Sequence, residues 1–210
     1  MFRSFLAAAL SGAALAACAH ESPAPAPSTA TPVHAAGSLA IKPLAERKVA
    51  QLPEGTLFWR IDAFPSLEDA KAAAGPHALA VADARGKAWL FTLGPAGGRT
   101  PGADKVAEVG PIARVAAAEY LLRINEATGA PGAKTPVHSH PGSEAFYVLS
   151  GEQSIRGAQG VLKVRPGMGE AGNGADQAME VSSSGAEPLH ALVMFVVDAA
   201  RPFSTPAKLP

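Results

Sequence analysis

The chain has 210 residues, 18 Lys+Arg against 18 Asp+Glu, and 48% hydrophobic residues. That is enough apolar material for one core, and the length sets an expectation of one domain with an extension. The even charge excludes the basic excess with which a nucleic-acid binder neutralises phosphates, so no nucleic acid is expected as a partner. With 21 Gly and 19 Pro, turns and short strands are favoured over long helices. A single cysteine, Cys18, excludes an internal disulfide and a thiolate zinc cage.

The chain begins Met1-Phe2-Arg3-Ser4, a minimal positive segment, and continues in an apolar run from Phe5 to Ala17. A spanning helix needs about 20 apolar residues, so the run fits a secretory leader better. It ends Leu15-Ala16-Ala17-Cys18, which resembles a bacterial lipobox. The resemblance implies a signal peptide over 1–17 and lipidation of Cys18. The attached chains would hold the protein to a membrane without a spanning helix. Ala19, rather than Asp, implies the outer membrane, facing the periplasm. Residues 18–38 are rich in Pro and Ala and read as a tether, with His20 and His34 solvated.

Beyond the tether, Pro65–Pro76 predicts one short helix. Ser66 is its N-cap, Glu68 and Asp69 lie in its first turn, and Gly75-Pro76 ends it. Strands are expected at Thr56–Asp62, Ala78–Ala82, Lys87–Leu93, Ala118–Glu126, Glu144–Ser150, Gly160–Arg165, Gln177–Ser182 and Leu189–Val197. The last is apolar on both faces and reads as central. Gly94–Gly110 reads as a loop; its glycines lack the GK[ST] of a phosphate loop. The fold class expected is all-β, a sandwich or barrel.

The chemistry concentrates in Gly132–Gly151. His138 and His140 are two apart, so on a strand they share a face. Pro141-Gly142 is a turn signal, and Glu144 opens the next strand. If those strands pair, two imidazoles and a carboxylate converge, donors suited to Fe, Mn, Ni, Cu or Zn. Phe146 and Val148 share the Glu144 face and are expected to line a pocket, whereas Tyr147 faces away. Arg123 would bind an anionic substrate if it faces inward. His190 reads as a satisfied or exposed histidine.

These positions resemble the first motif of the cupin family. Its pattern is Gly, five residues, His-x-His, three or four residues, Glu, six residues, Gly, and Gly132, His138, His140, Glu144 and Gly151 fit each place. The second motif is degraded. Aligned on its glycines, Gly172 stands where Pro is expected, Val181 at the Asn, and Gln177 at the fourth metal ligand, a histidine. Gln177 then either offers a carbonyl oxygen to the metal or is a hydrogen-bonded strand-end amide.

The resemblance implies a cupin-type antiparallel barrel (a double-stranded β-helix or jelly roll) over 113–203. A strand-plus-helix extension over 39–112 would add strands to a sheet edge or cover one end, and 204–210 would be a tail. It implies one divalent metal on His138, His140, Glu144 and Gln177, a small-molecule ligand or substrate, and a possible homodimer. Activity, if any, would be that of an oxygenase, isomerase or lyase. The other functional class is a binding protein that holds a metal or a small ligand without catalysis.

Overall fold

The structure, a computed structural model, describes residues 37–210. The expected leader, Cys18, His20 and His34 lie outside the described residues. Among the described residues, fourteen strands form three antiparallel sheets, accompanied by one helix.

The first sheet has five strands. At its centre lies β13 (Leu189–Asp198), flanked by β6 (Tyr120–Gly129) and β8 (Gly142–Ser150). Nine of the ten residues of β13 are buried, as its two-sided apolar run predicts. The sheet's edges are β1 (Ala40–Val49), paired with β6, and β11 (Gly169–Ala171), paired with β8.

Facing it is a second sheet, ordered β10 (Gly160–Val164), β9 (Gln153–Gly157), β12 (Met179–Ser183), β7 (His138–Ser139) and β14 (Thr205–Pro206). The inner faces of the two sheets share one apolar core. Phe146, Val148, Val193 and Phe195 come from one side, and Ile155, Met179 and Val181 from the other.

The third sheet, ordered β3 (Ala78–Ala82), β4 (Ala88–Gly94), β2 (Leu57–Phe64) and β5 (Asp104–Ile112), covers the outer face of the first. Trp59, Ile61, Trp89, Phe91 and Leu93 pack there on Leu122, Ile124, Tyr147, Leu192 and Met194. Trp89 meets Tyr147 edge-on at 6.3 Å between ring centroids, so Tyr147 packs on the side away from the inner core. Helix α1 (Leu67–Ala72) is capped as expected, Asp69 donating its backbone N–H to Ser66 Oγ at 3.1 Å. It is shorter than its punctuation suggests, because Ala73 already forms the C-cap.

Several details differ from the sequence reading. The extension both lengthens the barrel sheet through β1 and roofs that sheet through β2–β5. Gly94–Gly110 is not all loop: β5 runs from Asp104 through Gly110-Pro111, at the edge of its sheet, where proline is tolerated. Gln177 lies in the turn before β12, which starts only at Met179.

The roof and the barrel share a core, so they should unfold together. Both tryptophans of the chain, Trp59 and Trp89, belong to the roof. We expect tryptophan fluorescence and far-ultraviolet circular dichroism to give one coincident urea transition. Trp59→Ala should lower stability by about 3–5 kcal/mol. Two separate transitions would refute a shared core.

Candidate metal and ligand site

The histidines and Glu144 meet differently from the sequence expectation. β7 does not pair with the Glu144 strand. It pairs with β12, His138 opposite Met179, and with β14, His138 opposite Pro206. Glu144 belongs to the other sheet, opposite Phe195 of β13. The step Pro141-Gly142 carries the chain from one sheet to the other. Gly142 must lack a side chain, because a Cβ there would collide with the carbonyl of Val196. The donors therefore converge across the barrel rather than along one sheet.

They line a cavity of about 360 Å³ whose walls are largely apolar and include Phe146, Val193 and Phe195. His140 is buried. Its ring lies 4.9 Å from Phe195 and 4.7 Å from Phe203. Its Nδ1–H donates to the Phe203 carbonyl at 2.6 Å, and His138 Nδ1–H donates to the Pro136 carbonyl at 2.9 Å. With Nδ1 occupied, each neutral ring keeps its lone pair on Nε2. His140 Nε2 lies 4.0 Å from Glu144 Oε2. Glu144 Oε1 is buried with no hydrogen-bond partner.

Burial sets the charge states. It raises the Glu144 carboxyl from its ordinary 4.5 to about 8. Burial also lowers His140 from 6.5 to about 4, outweighing the upward pull of the Phe203 carbonyl; His138 and Arg123 add smaller downward effects. Near neutral pH the two groups are therefore a neutral acid and a neutral base, not an ion pair. Gly172, at the place of the family proline, closes the base of Glu144. A Cβ there would stand 2.5 Å from a Phe146 ring carbon and 2.9 Å from Glu144 Cγ.

Among the described residues, no group of three or more His, Cys, Asp and Glu forms a metal-holding cluster as it stands. The donor chemistry nonetheless fits a divalent cation: two imidazole lone pairs and an orphaned buried carboxylate oxygen face one cavity.

Gln177 is not among the residues lining that cavity; it is exposed beside a separate surface depression with Gln159 and Asn173. Val148 is buried in the inner core but does not line the cavity either. Arg123 does face inward, yet its groups are engaged. Its Nε donates to Asn125 Oδ1 at 2.8 Å, Nη1 meets Glu46 at 2.8 Å, and the guanidinium lies 4.1 Å from the Phe203 ring centre. It braces the wall behind His140. His190 is buried on the roof side, 2.7 Å from Glu126 Oε1, which also accepts the Ala84 N–H at 2.7 Å.

Five residues of the wall carry no assignment from sequence. Ile41 of β1 and, after β13, Phe203, Ser204 and Pro206 form part of the wall. Gln153 lines it too, fully buried, with both amide atoms unpartnered. The signal available for Gln153 was its place two residues after Gly151, at the start of the returning strand.

Residues 125–169 match the family described as cupin domain, the family that the His-x-His motif resembles. The antiparallel barrel expected from the motif is the fold observed. Similar solved structures include a cupin superfamily protein from Desulfitobacterium hafniense, 17% identical, with a TM-score of 0.33 over 37% of this chain and 68% of that one. A protein with a double-stranded β-helix domain from Klebsiella pneumoniae is 24% identical, with a TM-score of 0.36 over 41% and 75%. The polyketide cyclase RemF from Streptomyces resistomycificus is 20% identical, with a TM-score of 0.35 over 42% and 62%. Likeness this weak carries nothing about substrate or reaction. No curated protein matches the chain.

The charge states predict a pH profile for the metal-free protein. Between pH 4.5 and 6.5 the folded state holds one extra proton on Glu144 and one fewer on His140, so their contributions cancel. Between 6.5 and 8 only Glu144 remains, and the folded state holds the extra proton. Stability should fall there by about 2 kcal/mol. Glu144→Gln should abolish this fall in urea titrations across that range; an unchanged slope would place its origin elsewhere.

Proposed function

We propose that this is an envelope-anchored cupin protein that binds a divalent metal through His138, His140 and Glu144 and takes a small, largely apolar organic molecule into the same cavity. The observation that carries the reading is the orphaned carboxylate oxygen of Glu144, buried opposite two imidazoles whose Nδ1 atoms are already fixed. An unpaired buried carboxylate is costly, and a cation is the partner that the imidazole donors also suit.

When bound, the metal would act as a Lewis acid on an oxygen of the bound molecule. The protein's own residues do the rest. The carbonyls of Pro136 and Phe203 fix the imidazole tautomers. Phe146, Val193 and Phe195 exclude water and hold an apolar body. Glu144 holds a proton until a cation replaces it. Gln177, exposed at a separate depression, is assigned no part in holding the metal.

The open spacing of the three donors favours a second reading, capture of a small ligand without chemistry. Metal content separates the two. Purified full-length protein should carry about one divalent metal per chain, and His140→Ala should lose it in elemental analysis. Equal trace metal in both proteins would leave the ligand-binding reading.

Attachment at Cys18 is part of the proposal. It rests on the Leu15-Ala16-Ala17-Cys18 run alone. Metabolic labelling with palmitate should mark the protein, and Cys18→Ser should release it from membranes. A labelled Cys18→Ser protein would remove the anchor from the account.

A further inference from the structure

The Gln153 side chain is fully buried, and neither its Nε2 nor its Oε1 has a partner. Leaving a buried amide wholly unpaired costs free energy, so such groups normally have a protein, water or ligand partner. Gln153 lines the same cavity as His138, His140 and Glu144. It lies at the opposite end from them. His138 is the Cα partner of Met179, and Gln153 that of Ser183, four residues further along β12. At about 3.3 Å per residue, roughly 13 Å of strand separates the two levels. Between them the walls are largely apolar, with Val181 on one sheet and Phe146 and Val193 on the other; Asn125 and Thr135 also line the cavity, and their oxygens already accept from Arg123 Nε and from the Val181 N–H. Ser183, the Cα partner of Gln153, is also buried with an unpartnered hydroxyl, but it does not line the cavity, so Gln153 is the orphaned polar group that the far end presents.

We propose that Gln153 is a specificity-determining residue that receives the far polar end of an elongated ligand. The proposal rests on the ligand reading of the cavity and deepens it. A primary amide side chain offers one acceptor and two donors in a plane. Its complement is a planar group carrying a carbonyl beside an N–H or O–H. Among the described residues no Lys or Arg lines the cavity, so an anionic end would be buried unpaired. The group is therefore uncharged, a carboxamide or a close equivalent, on an apolar chain. The metal-side donors face the other end.

The test uses the full chain carrying Cys18→Ser, labelled with ¹⁵N, and a linear series from butanamide to decanamide. At least one amide should shift the Gln153 side-chain amide resonances. It should also bind about tenfold tighter than the methyl ketone of the same length, which has the carbonyl but no N–H. Gln153→Leu should erase that preference and still bind the ketone. If no amide moves the Gln153 resonances, or amide and ketone bind alike, the proposal fails. A bridging water satisfying Gln153 would give that second result. The resonance shift is read in protein with Gln153 intact, so a misfolded leucine variant does not spoil the test. Metal content, measured separately, distinguishes this failure from failure of the metal reading: loss of metal in His140→Ala leaves that reading standing even if every amide is indifferent.

Discussion

The fold depends on one constraint: the sheet of β6, β13 and β8 has no face left for water. Its inner side belongs to the barrel core and its outer side to the roof of β2–β5. Alternation along β8 shows the consequence. Ala145 and Tyr147 face the roof, while Glu144, Phe146 and Val148 face inward. Each of these residues is buried. In a barrel without a roof the outer set could be polar; here both sets must be apolar or satisfied. The outward-facing polar pair Glu126 and His190 obeys the same rule, bonding to each other and to the turn between β3 and β4.

Glu144 is the inward exception. Its strand is held on both faces, so the side chain is buried against the largely apolar cavity wall, and its acidity falls accordingly. His140 is trapped similarly between two phenylalanines. The site is thus assembled by elements distant in sequence. β7 brings the histidines, β8 brings the carboxylate, the segment after β13 supplies the carbonyl that orients His140, and β1 adds Ile41 to the wall. Arg123 joins these parts by contacting Glu46 of β1, Asn125 and Phe203 together. Its inward position made it a candidate for substrate binding, but its neighbours already use its donors.

What could be read from sequence was local. The apolar run of β13, the Ser66 cap and the motif Gly132–Gly151 each carry their signal within a few residues. The strand β1 did not, because it is an edge with many exposed positions and a bulge between Pro43 and Ala45. The strand β7 is two residues long, and its partners are far along the chain, so pairing with the neighbouring Glu144 strand was the natural but mistaken inference. Gln177 stood at a family position by glycine alignment. The glycine-rich turn that carries it leaves it exposed beside another depression. Gln153 is marked in the sequence only by its place two residues after Gly151; the three-dimensional cavity shows that it is buried and unpaired.

As proposed above, both sheets together present two imidazoles and one carboxylate to a single cation. X-ray absorption on the protein loaded with one equivalent of Zn²⁺ tests it most directly. Imidazole scattering from two histidines and an oxygen shell from a carboxylate are expected, with one histidine lost in His138→Ala and the spectrum unchanged in Gln177→Ala. A spectrum of oxygen ligands alone, the same in wild type and His138→Ala, would place the metal elsewhere and rule out this site.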